Sequence, residues 1–126
     1  MSDLTLTKYG KTYPVRLRVQ TYDEYRNLCV SREVLTDGYW EPWDTVTVNV
    51  TARYGGPCFA LIDVNNCGED CVDWLVSNGF GVRTPGGERS GFCFYPEFMF
   101  FEQKLREQDS DGLEAHIELW NAYHAH

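Results

Sequence analysis

The sequence predicts an α+β fold: a mainly antiparallel sheet of about five to six strands, one central helix and a C-terminal helix. Three observations carry this. Several segments alternate apolar and polar residues with a period of two, and turn residues separate them. One segment near the middle has helical spacing between an asparagine and a glycine. Strands come in runs before the helices rather than alternating with them, which favours antiparallel pairing.

The first hairpin is read from Leu4 and Leu6, the turn at Gly10-Lys11, and a second arm in which Tyr13, Val15, Leu17 and Val19 alternate with Pro14, Arg16, Arg18 and Gln20. Pro14 marks either the start of that arm or a strand at an edge. "YRNLCVSREVL" is a third strand. "TDGYWEPWD" is expected to be a turn or loop, signalled by Asp37-Gly38. Its Tyr39, Trp40 and Trp43 either cover one end of the sheet or anchor an interface. The acidic Asp37, Glu41 and Asp44 around them exclude single-stranded nucleic acid, which needs basic neighbours.

"TVTVNVTARY" puts Val46, Val48 and Val50 on one face, and Gly55-Gly56 turns it into the apolar "CFALIDV". A helix is expected over residues 67–78. Asn66 would cap it, with Glu69 in the capping-box position, and Val72, Leu75 and Val76 would line its buried face. Asn78-Gly79 stops it, with Phe80 packing back. "VRTPGGERSG" reads as a loop and "FCFYPEFMFF" as a buried strand. After the charged "EQKLREQDSDG", interrupted at Asp111-Gly112, Leu113, Ile117 and Trp120 predict a second amphipathic helix. The 126 residues make one domain, 1–126, with an acidic helical extension over about 102–126.

At 43% hydrophobic and 15% aromatic, the chain can bury a core. No apolar run approaches the ~20 residues that span a bilayer. The N-terminus lacks a signal-peptide pattern, so the expectation is a cytoplasmic protein with no membrane partner. Five cysteines, an odd number, are then expected to stay reduced.

The formal net charge of −8 is uneven. Residues 63–78 hold four acids and no base, and residues 97–118 hold seven acids and two bases. Direct nucleic-acid binding needs the opposite sign. A basic protein partner fits. The expected acidic surface comprises Asp70, Asp73, Glu107, Asp109, Asp111, Glu114 and Glu118.

Candidate chemistry concentrates in "DVNNCGEDC". Cys67 and Cys71 would share a helix face, but a structural zinc needs four ligands, commonly two such pairs. Cys58, Cys93, His116, His124 and His126 are isolated in sequence, so no metal and no cofactor is assigned. Cys67 in a first helical turn gains from the helix dipole. Glu69, Asp70 and Asp73 oppose its ionisation, and a nucleophile would also need a histidine brought in by folding, His116 for example. "GFG" and "TPGGERSG" lack the phosphate-loop signatures, and no hydrolase triad or zinc-protease motif is present.

Val46 to Val50, Asp63, Asn65, Asn66, Cys67, Asn78, Gly79, Gly81, Ser90, Gly91, Cys93, Tyr95 and Pro96 carry a resemblance. The combination "D-x-N-N-C" with "S-G-x-C-x-Y-P" resembles the family catalogued as domain of unknown function 4313. The resemblance implies a short bacterial protein of mobile genetic elements, with accessory or defence-related roles and no established chemistry. Cys29, Cys58 and Cys71 depart from the pattern, which speaks against a shared Cys67–Cys71 metal site and leaves a Cys67–Cys93 contact open.

The leading expectation is a non-enzymatic interaction protein whose acidic surface meets a basic partner, in its most specific form an inhibitor of a defence nuclease acting by DNA mimicry. The second is a small enzyme or thiol site at Cys67, shaped by Asp63, Asn65, Asn66, Ser90, Cys93 and Tyr95. The third is a zinc-stabilised module.

Overall fold

The computed structural model describes residues 4–52 and 55–125. They form an α+β fold with two four-stranded antiparallel sheets. The first sheet has β1 (Thr5–Lys8), β2 (Lys11–Thr21), β3 (Leu28–Thr36) and β4 (Tyr39–Thr45) in sequence order. The second comprises β5 (Thr47–Val48), β6 (Phe59–Ile62), β7 (Gly81–Ser90) and β8 (Cys93–Phe100), ordered β5-β6-β8-β7. The helices are α1 (Val64–Cys67), α2 (Cys71–Ser77), α3 (Glu102–Gln108) and α4 (Ser110–Tyr123).

The period-two pattern is visible in β2. Val15, Leu17 and Val19 are buried, while Pro14, Arg18 and Gln20 are exposed. Each fully buried aliphatic side chain of this kind contributes roughly 1.5–3 kcal/mol. One core joins Leu17, Val30, Ile62, Cys67, Leu75, Phe98, Phe100, Leu105 and Leu113, so both sheets and all four helices share it. The sheets are linked through Val46. Its N–H donates to the Val30 carbonyl (2.9 Å), and its own carbonyl accepts from the Asp63 N–H (2.8 Å).

Five expectations are corrected. "YWEPWDT" is strand β4, not a loop; Asp37-Gly38 is the turn, with φ of 52° and 83°, as a tight hairpin requires. "GVRTPGGERS" is strand β7, paired with β8 through a bulge between Arg83 and Gly87. These two extra strands raise the total to eight. The valine-rich segment forms only the short β5, and the expected strand's end at residues 53–54 lies outside the described residues. The single helix over 67–78 is two short helices, because Gly68 at φ 98° breaks the chain between them. Asn66 is inside α1 rather than its cap, and neither Asp63 nor Asp70, the residues at the two N-caps, bonds through its side chain.

The C-terminal helix starts earlier than its apolar pattern suggests. Asp109 caps α4 by accepting from the Gly112 N–H (3.1 Å), so Asp111-Gly112 is the helix's first turn and not an interruption. The same residue fixes α4 to the sheet. Beyond β1, the edge of β2 has no strand beside it among the described residues. Gln108 Oε1 accepts from the Leu17 N–H (2.8 Å), Asp109 Oδ2 accepts from the Val19 N–H (2.9 Å), and Thr21 Oγ1 bonds His116 Nδ1 (2.7 Å). Side chains of the α3–α4 junction thus satisfy an open strand edge that would otherwise invite pairing.

Candidate functional site

An open cleft of about 950 Å³ lies between the α1–α2 pair and the β7–β8 hairpin. Asn65, Glu69 and Asp73 line its helical side, and Val72 and Val76 add an apolar strip one turn apart. Its other side carries Arg83, Phe92, Phe94 and Pro96. Phe92 is fully exposed at the hairpin tip, after Gly91 at φ 62°. Phe94 is partly exposed and lies over Gly87, where any side chain would collide with its ring. Glu69 and Asp73 are exposed and make no ion pair with another described residue.

The sequence-predicted site splits. Asn65 and Cys93 line this cleft; Asp63, Asn66, Cys67, Ser90 and Tyr95 do not. Ser90 pairs with Cys93 across the hairpin turn. The neighbouring Cys93 raises the pKa of Tyr95, and the Asp63 charge adds to the rise. Cys67 is buried, with its Sγ 4.0 Å from the Val46 carbonyl oxygen. The neighbouring Cys71 and burial push its thiol well above the ordinary range. Cys67 and Cys93 therefore have different neighbours.

A feature that sequence reasoning missed lies next to the two buried thiols. Arg32 is only 2% exposed, although it sits among the apolar residues of β3. Its guanidinium forks onto Asp44, Nε to Oδ1 at 2.8 Å and Nη2 to Oδ2 at 2.6 Å. It also lies 4.9 Å from the centre of the Trp74 ring. Such a pair survives burial only because its geometry is bidentate and its partners are fixed. The signal in the sequence is a lone arginine on the buried parity of a strand, in register with Val30 and Val34.

His116 is also fully buried, on α4. Its Nε2 bonds the Pro57 carbonyl (2.7 Å) and its Nδ1 bonds Thr21, so the neutral ring uses both nitrogens. Burial lowers its pKa below the ordinary 6.5. A ring held this way supports the β2 edge and is not free to serve Cys67 as a base.

The acidic surface is reduced from seven residues. Asp109 is buried and committed to the Val19 and Gly112 amides, with Arg18 3.6 Å away. Its place in that surface is therefore corrected: the open strand edge claimed it. Glu107 pairs with Lys104 (3.5 Å) and Glu114 with Arg106. Asp70, Asp73, Asp111 and Glu118 remain exposed. No group of three or more potential metal ligands converges among the described residues; His126 lies outside them. No helix of the described residues is long and apolar enough to cross a membrane.

Fold and cleft together define a small α+β protein with an acid-lined groove beside an exposed aromatic hairpin. The chain belongs to the family described as Domain of unknown function (DUF4313), which it matches over residues 16–120. No curated protein and no solved structure matches it.

Proposed function

We propose that this protein is a non-enzymatic binding module whose cleft takes a basic, partly apolar segment of a protein partner. The observation that carries this is the pairing of unpartnered Glu69 and Asp73 with exposed Phe92 and Phe94 in one groove. Exposed aromatics supply the contact area of an interface, and the free carboxylates select a cation. The mobile-element setting implied by the family resemblance makes an accessory role in a bacterial cytoplasm the natural context.

DNA mimicry is the more specific version, and the net charge of −8 favours it. Imitating a phosphate row needs free carboxylates. Asp109 is buried and Glu107 and Glu114 are paired, so the α1–α2 acids at the cleft are the better docking charges.

A displayed random-peptide library panned on the purified chain tests the proposal. Enriched peptides should carry Lys or Arg beside an aromatic or aliphatic residue. Their affinity should fall by about tenfold, ~1.4 kcal/mol, in the E69Q/D73N double variant, and it should weaken with added salt. Enrichment of acidic or purely apolar peptides, or undiminished binding by the double variant, would overturn it.

A further inference from the structure

A cleft that takes a basic, partly apolar segment has a match within the chain itself. The β1–β2 turn reads Lys8-Tyr9-Gly10-Lys11. Tyr9 is 98% exposed, so its ring touches almost nothing in its own fold. Tyr9 and Gly10 both have positive φ, 53° and 77°, as the two central residues of a tight hairpin turn do. Just behind the tip, the Thr7 and Thr12 hydroxyls bond each other (2.9 Å).

Lys8 and Lys11 face each other in the strand register. Like charges directly opposite destabilise a strand pair. Elsewhere in the fold Arg16, Arg18, Arg26, Arg32, Lys104 and Arg106 each lie within 3.7 Å of a carboxylate. Lys8 and Lys11 make no ion pair with another described residue. Two cations flanking an aromatic ring therefore match two carboxylates, Glu69 and Asp73, set across from Phe92 and Phe94. The tip does not fill the cleft of its own chain. Trp74 Nε1 donates to the Thr5 carbonyl (3.0 Å), which sets β1 against one side of α2. Val72, Asp73 and Val76 line the cleft from the other side, as about 3.6 residues per turn requires.

We propose that the occupant of the cleft is the β1–β2 hairpin tip of a second copy of this chain. This rests on the binding function of the cleft and names its partner. Lys8 and Lys11 meet Glu69 and Asp73. The Tyr9 ring meets Phe92, Phe94 and the Arg83 guanidinium, which favours an aromatic face. The contact joins two different patches, so copies add head to tail. A single turn seated in a cleft of about 950 Å³ is a small interface, and the association is weak and reversible. A tip already shaped by its turn loses little freedom on docking.

Sedimentation equilibrium of the purified chain from ~10 μM to ~1 mM, the range of weak contacts, tests this. The average mass should rise with concentration at low salt and fall back toward one chain as salt is added. Tyr9→Asn combined with Lys8→Gln and Lys11→Gln should stay a single chain throughout. Asn-Gly is a preferred pair for this turn, so the hairpin is kept. E69Q/D73N should also stay a single chain. An equimolar mixture of the two variants should form pairs, because one keeps its cleft and the other keeps its tip. A single-chain mass for the wild type at every concentration, or a mixture that does not associate, would overturn the proposal. If displayed peptides still bind the cleft in that case, the binding function stands and the partner alone is wrong. A tip variant that associates as well as the wild type would place the contact elsewhere and would equally sink the idea.

Discussion

Two acid-rich regions of this chain look alike in composition and have opposite fates. The α3–α4 region spends most of its carboxylates on partners within the fold and leaves Asp111 and Glu118 exposed. Asp109 closes the β2 edge and caps α4, while Glu107 and Glu114 pair with Lys104 and Arg106. The α1–α2 region leaves Glu69 and Asp73 along a cleft with no ion pair among the described residues. The first has an unsatisfied strand edge and basic neighbours within reach; the second has no Lys or Arg in residues 63–78. Acid count alone therefore does not define an interaction surface. What matters is whether the fold offers each carboxylate a donor.

Asp109→Ala tests the contrast most severely. It orphans the buried Val19 and Gly112 amides and removes a helix cap, so the loss should be about 3 kcal/mol in urea unfolding. Asp73→Asn, on the cleft side, should move stability by less than about 0.5 kcal/mol. Similar values for the two would erase the distinction.

The next effect in size is at Gly112. Its φ is ordinary, but a Cβ there would collide with the Val19 carbonyl and the Asp109 carboxylate. Gly112→Ala should cost about 2 kcal/mol despite its better helix propensity, measured in the same way. A stabilised Gly112→Ala variant would show that α4 does not need this close approach to β2.

A smaller, pH-dependent effect comes from His116. Its folded pKa lies below the ordinary 6.5 because burial disfavours the charged ring. The unfolded chain therefore takes up the proton first as pH falls. The stability from this group is complete above about pH 6.5 and is lost as pH drops below it. Melting temperature should decline from pH 7 to pH 5, and His116→Gln should flatten that part of the profile. An unchanged slope in the variant would assign the decline to other groups.

The sequence made some of this legible. Local signals located the first hairpin, the Asp37-Gly38 turn, the aromatic strand β8 and the amphipathic α4, because each rests on its own residues. Strands β4 and β7 were not legible. Their Pro and Gly residues read as loop punctuation, and only pairing with β3 and β8 makes them strands. Gly87 is small because Phe94 covers it, which no local pattern reveals. For the site, the region around Asn65 was found at the strand-to-helix junction, but Cys67 faces the core and Phe92 was read only as part of a strand. Asp109 could have been recognised as a cap, since it stands directly ahead of the Leu113 and Ile117 pattern. Its second bond, to the edge of β2, depends on a partner 90 positions away in the chain.

Val46 carries a consequence for how the molecule comes apart. This one residue donates to one sheet through its N–H and accepts from the other side through its carbonyl, and its side chain is completely buried. Neither sheet can separate without breaking at least one bond at that residue and exposing the shared core. The shared core therefore couples the melting of the two sheets. Val46, the residue between β4 and β5, acts as a hinge pin, and the second of its two bonds ends at Asp63, the residue just before α1.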